Sequence, residues 1–316
     1  MIPAPSRPQL LPSMSSSIQL PSGLSITGGI PTKSQDLAPS IIFVIAYACL
    51  IPLAAFRLAK KESRSTTLIR PAVFILVRLA TYIMRAVQAN GNYGQTLFIV
   101  EQVFLLGGFP IICEAILTLL EYHITRTHTS PKQGQITQRA IRILRLALLA
   151  ALIIGIVAGT QYSSDLSNPS KLSSLRTLRN VNAGLCLAIV LGVIFVVIIA
   201  HFHKNLPVKP TLLLVFMAGC LVVAGAYRLA MIHTTSPPLA VATKAKFYVL
   251  LSLMEWLVTA TLFAVNARTL FAEDLAKEKK RAAKHGQQEG QVPYEEVPMG
   301  ARASPGQQYK DPYATA

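Results

Sequence analysis

Apolar residues in this chain run in unbroken blocks of about 20, the length that crosses a bilayer, rather than recurring every three or four positions as on one face of a soluble helix. Seven such blocks occupy residues 40–58, 69–89, 96–122, 141–161, 181–202, 211–233 and 245–271. Hydrocarbon offers no partner to backbone N–H and C=O groups, so each block must close its hydrogen bonds internally. None shows the alternation of a barrel strand. The pattern predicts an all-α, polytopic membrane protein with seven transmembrane helices over residues 40–271. Residues 1–39 are rich in Pro, Ser and Gly and have no compact apolar run behind a basic start, so they read as a disordered lead-in and not as a signal peptide. Residues 272–316 begin as a charged helical stretch and continue polar, which predicts a charged, largely disordered tail.

The polar positions between the blocks set the orientation. Lys60, Lys61 and Arg64 fall in the first loop, Arg126, Lys132 and Arg139 in the third, Lys204 and Lys209 in the fifth, and Lys277, Lys279, Lys280, Arg281 and Lys284 in the tail. The second loop has no Lys or Arg and the sixth only Lys244, while Lys171, Arg176 and Arg179 of the fourth run the other way. Because Lys and Arg accumulate in cytosolic loops, the balance predicts an N-terminus outside and a C-terminus in the cytosol.

Composition agrees with this picture. Of 316 residues 52% are hydrophobic and 14% charged, against about 25% charged in a soluble domain, and the mean hydropathy is +0.46. The net charge of +16 would raise nucleic acid as a partner in a soluble protein. Here the basic residues flank membrane blocks, where orientation and anionic lipid account for them, so the expected partners are membrane lipids and not nucleic acid. Cys49, Cys113, Cys186 and Cys220 all lie inside apolar blocks, which implies no disulfide framework.

Charge inside the blocks carries the chemistry. A charged side chain at mid-helix costs about 2.5–3.5 kcal/mol on insertion scales and faces a partner or a cavity. Arg78 and Arg85 lie in the second block, Glu101 in the third, Arg228 in the sixth and Glu255 in the seventh, with Glu114 shallower in the third; the first, fourth and fifth blocks carry none at depth. Arg78 and Arg85 are two helical turns apart and share a face. Counting about 1.5 Å of rise per residue pairs Arg85 with Glu101, and Glu255 with Arg78 or a snorkelling Arg228. Pro110, after Gly107 and Gly108, predicts a kink in the third helix. Gly155 and Gly159, and Gly184, Ala188 and Gly192, repeat at four-residue spacing and predict close helix packing within the bundle.

No motif for enzymatic chemistry accompanies these charges. There is no Gly-rich phosphate loop, activated serine or suitably paired carboxylate. The six histidines lie at block ends, in loops or in the tail, away from where an intramembrane metal or haem would need them, so no metal or other cofactor is expected. A receptor-type disulfide and a retinal-binding lysine midway along the seventh block are also missing.

Val77-Arg78-Leu79 with Arg85, the 101–119 stretch carrying Gly107-Gly108-Phe109-Pro110, and Leu144-Arg145-Leu146 leading to Gly155-Ile156-Val157-Ala158-Gly159 resemble a seven-helix family of filamentous fungi of unknown function. More distantly, Tyr227-Arg228 followed by Glu255 resembles the lipid-translocating exporter family, although Ala230 and Met231 stand where that family has an acid. The second resemblance implies handling of lipids or amphiphiles. The expectation is a non-enzymatic, multi-pass protein of the plasma membrane or an endomembrane. It would bind or translocate a lipid-like or amphiphilic small molecule on a polar lining of Arg78, Arg85, Glu101, Arg228 and Glu255. The rival expectation is a receptor-like protein that signals through its cytosolic loops and tail.

Overall fold

A computed structural model describes residues 26–92, 94–126, 131–165, 169–204, 206–234 and 239–278. Among them, seven helices are long and apolar enough to cross a membrane. They are α1 (Lys33–Ala59), α2 (Thr66–Ala89), α3 (Gln95–Thr125), α4 (Pro131–Asp165), α5 (Pro169–Lys204), α6 (Val208–His233) and α7 (Val241–Ala264); a short α8 (Ala267–Leu270) follows. Short connections send the chain back and forth. The helices α1, α3, α5 and α7 therefore start at one face of the bundle, here the amino face, and end at the opposite, carboxyl face.

The helices depart from the hydropathy pattern in three ways. First, α1 begins at Lys33, inside the expected lead-in, because Asp36 reaches back to accept the Thr32 backbone N–H at 2.8 Å and closes the first turn. Ahead of it, residues 26–32 form a non-helical strap packed on the bundle, with Ile26 buried among Phe98, Leu106, Ala158 and Leu175. Second, α4 and α5 extend past their apolar blocks, so Arg139, Lys171, Arg176 and Arg179 lie on helices and not in loops. Thirty-five residues of α4 span about 52 Å, well beyond about 30 Å of hydrocarbon. Third, α7 stops at Ala264, short of the expected residue 271, because Val265 turns extended (φ −91°, ψ 152°). Arg57 of α1 takes the freed carbonyls of Phe263 and Ala264 at 2.9 and 2.7 Å. Residues 273–278 are helical; the rest of the predicted tail and residues 1–25 lie outside the described residues.

The bundle is built around α3. Within its apolar stretch 78% is buried inside the protein, against 17% for α1, and it packs on α2, α4, α5 and α6. Of the two small-residue rows, only that of α4 makes the close approach. A Cβ at Gly159 would lie 2.6 Å from Val103 Cγ2, whereas Gly184 and Gly192 of α5 have nothing within 4 Å.

Candidate functional site

The intramembrane charges gather in two adjoining groups. The first lies beneath the amino face, where Arg85 of α2 is fully buried. Its Nη1 donates to Glu101 Oε1 at 2.8 Å, its Nη2 to Asp36 Oδ1 at 2.8 Å and to the Gly28 carbonyl, and its Nε to the Tyr248 hydroxyl at 3.0 Å. Glu101 accepts a second bond from Gln88 Nε2 at 2.7 Å. Lys244 of α7 donates to Asp36 Oδ2, to the Ile30 carbonyl at 2.6 Å and to Thr32 Oγ1 at 2.8 Å. Two cations thus meet two carboxylates, as burial in an apolar medium requires. Phe247 covers the Arg85 guanidinium, whose Cζ is 4.6 Å from the ring centroid. A π-helical stretch, Phe247–Leu253, widens α7 at this point.

The strap completes this group. Gly28 adopts φ +81°, and a Cβ there would lie 3.0 Å from Phe247 and 3.1 Å from Arg85 Nη1, so only glycine lets the backbone bend onto the guanidinium. Arg179 of α5 adds a latch, its Nη2 donating to Thr27 Oγ1 at 3.3 Å.

The second group lies deeper. Arg78 of α2 forms a bidentate pair with Glu255 of α7 and also donates through Nη1 to the Phe104 carbonyl at 3.0 Å. Gly108 permits that approach, since a Cβ there would stand 3.1 Å from Arg78 Nη1. Arg228 of α6 makes no ion pair among the described residues. Its Nη1 donates to the Leu105 carbonyl at 3.0 Å, and its Nη2 to the Leu106 carbonyl and Asn182 Oδ1 at 3.2 Å each. Pro110 has no N–H to offer the carbonyl four residues earlier, which is that of Leu106. Arg228 supplies the missing donor, so two arginines brace α3 at its proline.

The five expected residues therefore come together, all buried. The Arg85–Glu101 and Arg78–Glu255 pairs match the depth estimate, but Arg228 is committed to carbonyls and an amide instead of Glu255. Several members carry no hydropathy signal, among them the neutral Gln88 and Tyr248. Asp36 falls outside the apolar block, and its signal was a cap position four residues after Thr32; through it the first helix does carry a buried charge. Lys244 read as a loop residue. Asn182 is neutral, and nothing in its sequence context marks it as a partner of Arg228.

Other buried polar atoms in this half of the bundle have no hydrogen-bond partner, namely both amide atoms of Gln102 and Gln88 Oε1, while the buried Tyr227 hydroxyl lies against the Gly28 backbone. Tyr227 also lines a groove of about 500 Å³ between α6 and α7, with walls of Val222, Ala226, Ala230 and Leu250 and polar ends at Thr243 and Lys246. Among the described residues no three His, Cys, Asp or Glu side chains are grouped to hold a metal ion.

A family model described as Domain of unknown function (DUF7702) matches residues 35–212, more than half of the chain. The chain belongs to this family. The DUF7702 match begins one residue before Asp36 and ends inside α6. It takes in Arg78, Arg85, Gln88, Glu101 and Asn182, while Arg228, Lys244, Tyr248 and Glu255 lie beyond it. No curated protein and no solved structure matches the chain.

Proposed function

We propose that this DUF7702 protein is a non-enzymatic, seven-span membrane protein, amino face outside and carboxyl face in the cytosol, that binds and passes a lipid-like or amphiphilic small molecule. The observation that carries the reading is the groove between α6 and α7. Its apolar walls face the bilayer, and Tyr227 at its edge carries a buried hydroxyl set against the Gly28 backbone of the strap. An apolar tail lies along Val222, Ala226 and Ala230, and a polar head is drawn toward Tyr227 and the Arg85–Glu101 group beneath the strap. Arg85 and Glu101 are the direct contacts; Arg78, Glu255 and Arg228 hold the helices around them. Because cations and carboxylates balance in this group, a zwitterionic or hydroxyl-bearing head suits it better than a strongly charged one.

Reconstituted protein titrated with a nitrobenzoxadiazole-labelled lysophosphatidylcholine tests the reading. Ala230→Trp fills the groove, Tyr227→Phe removes the hydroxyl at its edge, and the Arg85→Gln/Glu101→Gln double variant removes the charged contacts as a pair. Each is expected to weaken uptake by about tenfold, the size of a lost polar contact of about 1.4 kcal/mol. Wild-type uptake in all three variants, with unchanged melting temperature, would overturn the proposal.

A further inference from the structure

A second crevice opens between α3 and α4, toward the carboxyl face. Its floor is apolar, with Pro110, Ile111, Leu149 and Leu152 enclosing about 250 Å³, and Glu114, Arg142 and Arg145 form its rim. A recess nearer the face continues it, sharing Arg142 and Arg145 and adding Gln138 and Glu121. The crevice therefore runs from an apolar end in the bilayer to a cationic end at the level of the lipid headgroups. From Leu146 to Gly159, α4 carries no charge at all.

The charges at the rim do not cancel. Arg70 holds Glu114 at 2.8 Å, and Arg145 holds Glu121 at 2.7 Å. Arg145 Nε has no hydrogen-bond partner, with Glu114 Oε1 4.0 Å away. Arg142, one turn before Arg145, is exposed and makes no ion pair among the described residues. Among the described residues of the rim, three guanidinium groups face two carboxylates held by Arg70 and Arg145, which leaves the positive charge of Arg142 without an acid. A guanidinium presents donors that match a phosphate.

We propose that this crevice is a binding site for an anionic phospholipid of the surrounding bilayer. Arg142 takes the phosphate, and an acyl chain lies along Leu146, Leu149 and Leu152 against Pro110 and Ile111. The site depends neither on the groove between α6 and α7 nor on its ligand. Arg142 contributes nothing to the bundle's internal ion pairs, so its replacement leaves the fold intact.

Native mass spectrometry of the full-length protein, ejected from phosphatidylcholine nanodiscs doped with phosphatidylserine, tests the proposal. The wild type is expected to retain one phosphatidylserine, enriched roughly fivefold over its share of the bilayer, which corresponds to about 1 kcal/mol. Arg142→Gln is expected to abolish the enrichment, Leu149→Trp to reduce it by filling the apolar end, and Lys246→Gln, on the other groove, to leave it unchanged. Absence of enrichment in the wild type, or equal enrichment in Arg142→Gln, overturns the proposal. So does full displacement by soluble glycerol phosphate together with retention in Leu149→Trp, because the ligand is then a free phosphate ester and not a lipid.

Discussion

Arg78 and Glu255, 177 residues apart in sequence, meet in the bundle interior through two parallel hydrogen bonds, Nε to Oε2 at 2.7 Å and Nη2 to Oε1 at 2.6 Å. Neither side chain is exposed. A pair this deep costs more to break than to replace. Arg78→Met or Glu255→Leu alone is expected to lower stability by about 3–5 kcal/mol, whereas the double variant loses far less. Thermal denaturation of the four proteins in detergent measures this, and strictly additive losses would contradict the pairing.

Arg228 and Pro110 form a second coupled unit. Arg228→Met is expected to cost about 1–3 kcal/mol by leaving the Leu106 carbonyl without a donor. In a Pro110→Ala background the restored N–H takes that carbonyl, and the same substitution should cost measurably less. A double-mutant cycle reads the difference; a coupling energy of zero would show that Arg228 does not serve the proline.

The two rows of small residues are expected to respond in opposite ways. Gly159→Ala drives a methyl into the Val103 backbone, whose Cα would be 2.8 Å away, and should destabilise by about 1–3 kcal/mol. Gly184→Ala meets open space and removes a helix-interior glycine, so it should be neutral or stabilising by up to about 1 kcal/mol. Melting temperatures of the two variants decide between this arrangement and one in which both rows pack.

The strap is expected to lift when its bend is refused. Gly28→Val places a branched side chain at φ +81° and against Phe247. Hydrogen exchange at residues 26–32 should rise while α2 and α3 stay protected; unchanged exchange would mean that the strap does not depend on this glycine.

The orientation is open to a simple assay. An Asn-x-Thr acceptor introduced into the second loop, 90–95, should be glycosylated in a eukaryotic membrane, and one introduced into the first loop should not. The reverse pattern would invert the topology.

Much of the architecture is written in one dimension. Transfer to hydrocarbon depends on local composition, so blocks such as 69–89 marked a helix whose observed apolar run, Ile69–Ala89, coincides with the block. The seven-residue spacing of Arg78 and Arg85 likewise put both on one face, and depth counting matched Arg85 to Glu101 while leaving Glu255 to Arg78 or Arg228. What the sequence could not decide is how the helices are rotated and which backbone groups they leave unpaired. Arg228 turned from Glu255 to the carbonyls beside Pro110 because proline had removed their donor, a need visible only when α3 and α6 lie side by side. Asp36 and Lys244, 208 residues apart, entered the core because the strap and the first turn of α1 fold over the amino face. Hydropathy averages over a block and does not register one acid at its edge. The span count follows from solvation of the chain, and the ionic core from packing.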